Sequence, residues 1–305
     1  MKQIRVGFSG WTYAPWRGDF YPKGLTQKRE LEFASRQVNS IEINGTFYSL
    51  GRPETFQNWY SQVPDDFIFA VKGGQYITHV LRLKEADQAL ANFFASGLLC
   101  LKEKLGPILW QFPPNVMLKD DRFEKFIKLL PQDSQMAAEL ASKHGAKVEG
   151  RAWTDAGGMY KVRHAFEFRH PSFRNPDFIV MMREHNIAIV FVDAGKKSPV
   201  IEDVTSDFIY VRLHGEDPRY AKGYPKSTID RWAKRIQSWS VGKQPEDAQC
   251  FLNKKPKLMK RDAFVYFGTE AKERSPFDAM NLIKSLKLSI TSQPFQSKLQ
   301  LKKSA

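Results

Sequence analysis

The chain has little cysteine: two residues, Cys100 and Cys250, in 305. That excludes a disulfide framework and a zinc site built on paired cysteines, and it fits a reducing compartment. Long apolar runs are also missing. The most apolar window, residues 89–101, falls short of the roughly 18 residues of a membrane span. Lys and Glu flank it, so it predicts a buried helix. The N-terminus enters a strand-like run at Ile4 without a signal-peptide pattern, and a cytoplasmic location with no membrane contact is expected. There is no Walker loop, no Gly-x-Gly-x-x-Gly after the first strand and no Gly-x-Ser-x-Gly elbow. These absences argue against nucleotide-cofactor enzymes of standard type and against elbow-borne serine nucleophiles. Acids are outnumbered: Asp+Glu 33 against Lys+Arg 47, a formal charge of +14.

What is present describes a folded chain. Hydrophobic residues at 42% and aromatics at 13% rule out a disordered protein. Apolar runs at 4–10, 40–48, 67–74, 106–113, 163–170, 187–194, 208–215 and 263–270 predict strands. Helical spacing covers 25–37, 53–63, 84–105, 121–130, 175–185, 228–240 and 275–286. Strands alternating with helices mean βαβ units and a parallel sheet. Eight such units predict an α/β fold, a single (β/α)8 TIM-barrel-like domain, with a doubly wound open sheet as the alternative. Residues 195–207 have no helical period, so the sixth helix is expected to be reduced or missing. One domain over 1–288 is expected, with insertions at 132–161 and 244–261. A basic tail at 289–305 follows.

Side chains alternate along a strand, so the parity of polar residues selects a face. Glu42 and Asn44 share one face, as do Glu167 and Arg169, and Arg212 and His214. Lys72, Gln111, Asp193 and Glu270 end other strands. A charge is poorly placed against an apolar helix layer. All of these are therefore expected to point inward at the C-terminal mouth, where barrel enzymes keep their sites. Lys72, Arg169 and Arg212 against Glu42, Glu167 and Asp193 predict a balanced, mixed-charge pocket. Carboxylates with a histidine can move protons, and arginines can clamp an anion. The same charges can also satisfy one another as an internal ion-pair layer. Trp11, Tyr13 and His79 fall in loops after strands, where they form a rim for a polar ligand or pack over the barrel end. His79, His170 and His214 with Glu42, Glu167 and Asp193 are residue types that hold a divalent metal. No tight spacing joins them, so the cofactor stays unassigned.

Several segments in this order resemble the YecE-like family, also called domain of unknown function 72. They are Gly7-Phe8-Ser9-Gly10-Trp11-Thr12-Tyr13, Ile41-Glu42-Ile43-Asn44-Gly45-Thr46-Phe47-Tyr48 and Leu109-Trp110-Gln111-Phe112-Pro113-Pro114. Ala165-Phe166-Glu167-Phe168-Arg169-His170-Pro171 and Val211-Arg212-Leu213-His214-Gly215 continue the set. The resemblance implies a TIM-barrel-like fold with shared polar positions at Glu42, Asn44, Lys72, Gln111, Glu167, Arg169, Arg212 and His214. It implies no particular activity. After Tyr266-Phe267 the family commonly has Asn-Asn-Asp, where this chain has Gly268-Thr269-Glu270.

Three functions fit these residues. The first is a hydrolase or lyase acting on a small polar, anionic substrate. Glu167 or Glu42 would be its base, His214 the acid/base partner, and Lys72, Arg169 and Arg212 the anion clamp. The second is a protein that binds or processes nucleic acid or another phosphate polymer. The third is a non-catalytic ligand-binding barrel. Ten of the fourteen surplus charges lie in two acid-free stretches, Lys254, Lys255, Lys257, Lys260 and Arg261, then Lys284, Lys287, Lys298, Lys302 and Lys303. An insertion before the last strand lies opposite the mouth. Those cations therefore speak for a peripheral, weak nucleic-acid contact and say little about the chemistry.

Overall fold

The computed structural model describes residues 3–193, 195, 198–215, 220, 222–253, 256–268, 272–290 and 295. Eight strands run in parallel: β1 (Ile4–Phe8), β2 (Ser40–Ile43), β3 (Ile68–Lys72), β4 (Leu105–Gln111), β5 (His164–Glu167), β6 (Ala188–Asp193), β7 (Phe208–Leu213) and β8 (Asp262–Phe267). The order is β1-β8-β7-β6-β5-β4-β3-β2, a barrel with one seam between β1 and β2. Helices surround it: α1 (Glu30–Ala34), α2 (Gly45–Tyr48), α3 (Pro53–Gln62), α4 (Asp87–Ala95), α5 (Arg122–Leu129), α6 (Ser134–Ala141), α7 (Pro176–Glu184), α8 (Lys226–Ser240) and α9 (Ser275–Ser285). The (β/α)8 reading holds, and among the described residues no α-helix lies between β6 and β7. No helix among them is long and apolar enough to cross a membrane.

Two local expectations fail for backbone reasons. The strand expected over 40–48 stops at Ile43, and the chain turns into α2. The helix expected over 84–105 breaks at Gly97, whose φ of 105° lies in the left-handed region, and a 3-10 turn follows. A Cβ there would meet Pro53 at the start of α3.

Strand parity divides the core. Ile41, Ile43, Phe69, Ile108, Trp110, Phe166 and Phe191 point outward into the helix layer. Ala70, Leu109, Ala165, Ala188, Val190, Val192, Phe208, Tyr210, Phe264 and Tyr266 fill the barrel. The filling is lopsided: β7 and β8 send in rings, while β3 to β6 offer mostly small or aliphatic groups. That is how layers interdigitate without voids. The Tyr266 hydroxyl is satisfied by Ser40 Oγ at 2.7 Å.

The seam is closed by side chains and a glycine. Asn39 Oδ1 accepts from Val6 N at 2.7 Å, and its Nδ2 donates to Ile4 O at 3.1 Å, so one amide stands in for ladder bonds on β1. Gly10 N donates to Glu42 O at 2.8 Å. Between these, Gly7 approaches β2 so closely that a Cβ would lie 1.8 Å from Ser40 O. Backbone cannot yield as a flexible side chain can. Gly7→Ala is therefore expected to destabilise the protein by about 3 kcal/mol or more, read as a lowered urea midpoint. An unchanged midpoint would show that β1 and β2 can part freely.

Candidate active site

The inward positions of β2, β5 and β7 converge on one guanidinium. Arg212 Nη1 donates to Glu167 Oε2 at 2.5 Å, and Nη2 donates to Glu42 Oε1 at 3.0 Å. Both carboxylates are fully buried. Each also collects neutral donors. Ser9 Oγ reaches Glu42 Oε1 at 2.7 Å, and Tyr210 OH reaches Oε2 at 2.6 Å. Gln111 Nε2 reaches Glu167 Oε1 at 2.6 Å. Arg169 touches the same oxygen through Nε and Nη2, both at 3.4 Å, and stays partly exposed.

Electrostatics follow from this packing. Burial pushes the Glu167 carboxyl up, but Arg212, His214, Arg169 and the Gln111 bond together hold it well below the usual carboxylate range. His214 is held down to about 4, by burial first and by Arg212 second. The only proton its Nδ1 contact with Gly268 O (2.9 Å) can use is one on the ring, so Nδ1 is the donor. Nε2 then accepts, 3.3 Å from Arg212 Nη1 and 4.0 Å from Glu167 Oε1.

Lys72 ends β3 half-buried, its ammonium 4.0 Å from the centre of the Phe47 ring. Burial and the neighbouring Arg212 lower it to about 8. His79 bonds Thr78 Oγ1 through Nδ1 at 2.8 Å and packs edge-on against Phe47. Partial burial, Lys72 and Arg169 depress its basicity. Two buried polar atoms here, Arg212 Nε and Asn44 Oδ1, have no hydrogen-bond partner among the described residues. Beside Phe47 a cleft of about 920 Å3 opens, lined by Tyr48, Tyr76, Asn92, Lys147 and Arg151 among others.

A family model described as "Protein of unknown function DUF72" matches residues 5–301. The chain belongs to the DUF72 family. It is 30% identical over 110 residues to the UPF0759 protein YecE of Escherichia coli K12, a match spanning 36% of this chain and 38% of that protein. The DUF72 crystal structure from Enterococcus faecalis superposes with a TM-score of 0.65 at 17% identity, covering 96% of this chain and all of that one. The one from Thermotoga maritima gives 0.62 at 21%, covering 93% and 99%. At such identities these two likenesses bear on the fold alone.

The DUF72 barrel gathers Glu42, Lys72, Gln111, Glu167, Arg169, Arg212 and His214 at its mouth, with His79 and Asn44 bordering them. It does not gather Asp193. Val192 points inward, so Asp193 points outward, and Oδ2 accepts from Tyr224 OH at 3.2 Å and Trp232 Nε1 at 3.3 Å. Trp11 also leaves the mouth and packs against Trp59 and Phe69 in the outer layer. Tyr13 packs on Trp16. Glu270 lies outside the described residues, as do Lys254, Lys255, Lys298, Lys302 and Lys303. Arg261 is buried, and its guanidinium donates to the carbonyls of Ser206, Met259 and Lys257, so it is not part of a free basic surface. Among the described residues no group of three or more His, Cys, Asp or Glu is placed to hold a metal ion.

Sequence reading missed Ser9, Tyr210 and Phe47. The first two carry a signal, since Tyr210 stands two residues before Arg212 and Ser9 continues the inward parity of Gly7. At Gly268 a Cβ would lie 2.7 Å from Ser9 Oγ, the hydroxyl that holds Glu42.

Two outcomes are expected. Arg212→Met should cost about 3–5 kcal/mol, because it strands two buried carboxylates. Adding Glu167→Gln should restore part of that in chemical denaturation. His164 is likewise held down to about 4 by burial. Histidines kept neutral in the fold but free to protonate when unfolded lose stability as pH falls. The loss should begin near pH 6.5 and run towards 4, on the order of 3 kcal/mol for each of His164 and His214. A flat stability profile between pH 7 and 5 would refute it.

Proposed function

We propose that the protein is an acid–base enzyme, a hydrolase or lyase, acting on a small polar anionic substrate at the barrel mouth. The observation that carries this reading is the charge count once Asp193 is turned away. Among the described residues Arg212, Arg169 and Lys72 face two carboxylates, Glu42 and Glu167, so the mouth has a surplus cation. Such a surplus in a partly desolvated site favours an anion.

The division of labour differs from the one suggested by residue type. Glu42 and Glu167 have their oxygens occupied by Arg212, Ser9, Tyr210 and Gln111. They serve as fixed acceptors that aim the guanidinium, as preorganised sites require. Proton transfer falls to Lys72, whose lowered basicity puts both of its forms within reach near neutrality. His214 offers a neutral ring beside Arg212 and Glu167. Arg169, loosely held and partly exposed, would take the substrate's anionic group. Asn44 and Gln111 would orient the rest, and the adjoining cleft has room for any larger remainder.

Calorimetric titration with phosphate and malonate, against neutral dimethyl malonate, tests this. The anions should bind and the ester should not. Arg169→Met should weaken the anions about tenfold or more, as for a lost charge-assisted hydrogen bond. No saturable anion binding by the unsubstituted protein would overturn the reading.

A further inference from the structure

We propose that Lys72 is an amine nucleophile that forms a Schiff base with the carbonyl group of an anionic aldehyde or ketone. The inference rests on the anion-binding mouth and deepens it by naming the substrate class. Lys72 stands at the C-terminal end of β3, in inward register with Ile68 and Ala70. Among the described residues it makes no ion pair, and its ammonium lies over the Phe47 ring. The charged groups that act on it come from three strands: Glu42 on β2, Glu167 and Arg169 at the end of β5, and Arg212 on β7. His79 faces it from the turn after β3. The two carboxylates are already committed to Arg212, so neither pins the amine.

Amines next to other cations, partly removed from water, are the ones that act as nucleophiles. At a pKa of about 8, roughly a tenth of the side chain is free amine at pH 7, against well under a thousandth for an ordinary lysine. The nitrogen lone pair would attack the carbonyl carbon while the C=O electron pair moves to oxygen. Oxygen takes a proton and nitrogen gives one up, leaving a carbinolamine. Its hydroxyl takes a proton from solvent and departs as water while the nitrogen lone pair forms the C=N bond; loss of the remaining N–H proton to solvent returns that proton, with no oxidant or reductant needed. Arg169 would hold the anionic group, placing the carbonyl over Lys72.

Pyridoxal 5′-phosphate, an aldehyde with a phosphate, is the probe. After borohydride reduction, peptide mass mapping should find the adduct on Lys72, formed at pH 7 at least about tenfold faster than on exposed lysines. Lys72→Arg and Lys72→Met should both abolish that adduct and leave slow surface labelling unchanged. Pyridoxine 5′-phosphate, with an alcohol in place of the aldehyde, should bind and protect Lys72. If it binds but Lys72 is modified no faster than exposed lysines, the Schiff-base inference is overturned while the anion site stands. If neither compound binds at the mouth, both readings fall.

Discussion

One guanidinium holds this barrel's mouth together. Arg212 bridges Glu42 and Glu167, tying β7 to β2 and β5 across the interior. A buried ion triad is weak as a source of stability, because desolvating three charges costs about what their attraction returns. Its effect is positional. One cation between two carboxylates carries net negative charge, and the neutral donors Ser9, Tyr210 and Gln111 do not change that. The remaining compensation comes from Arg169 and Lys72, the more exposed members of the cluster. The layering of charge therefore follows from the triad: negative inside, positive towards solvent.

The rest of the barrel accommodates that triad. Tyr210 and Tyr266 fill the interior from one side and spend their hydroxyls on Glu42 and Ser40. Gly7 and Gly268 give up side chains where β1 must come close to β2 and where Ser9 must reach Glu42. Asn39 replaces ladder bonds at the seam. Sequence and packing agree here in the way that makes a native state unique.

Much of this was legible without coordinates, because two periodicities are simple. Alternating strands and helices give the barrel, and alternation within a strand gives the inward set. At Asp193 the expected inward carboxylate turns outward for an instructive reason: the helix layer solvates it, since Trp232 on α8 and Tyr224 present an indole N–H and a phenol to it. Aromatics with a polar tip make an apolar layer locally polar. Trp11 failed in the opposite sense: a loop tryptophan had a better partner in Trp59 than in solvent at the rim. The breaks at Gly97 and after Ile43 depend on what the chain must pass, which propensity alone does not encode.

Charge shows the same limit. Counted along the sequence, Arg261 belongs to a basic run. In the fold it is buried and caps three carbonyls, while Glu202 and Asp203 accept from Gln249, Phe251 and Leu252 to pin the insertion against the β6–β7 crossover. Formal charge counts groups without asking which are already committed. At the mouth that distinction bears on the proposed chemistry. Glu42, Glu167 and Arg212 are committed to one another as buried ion pairs. Lys72 makes no ion pair among the described residues, and burial, aided by Arg212, brings it to about 8, near the balance between its two forms. A site in which fixed charges surround one adjustable group is what acid–base and carbonyl chemistry at neutral pH both require.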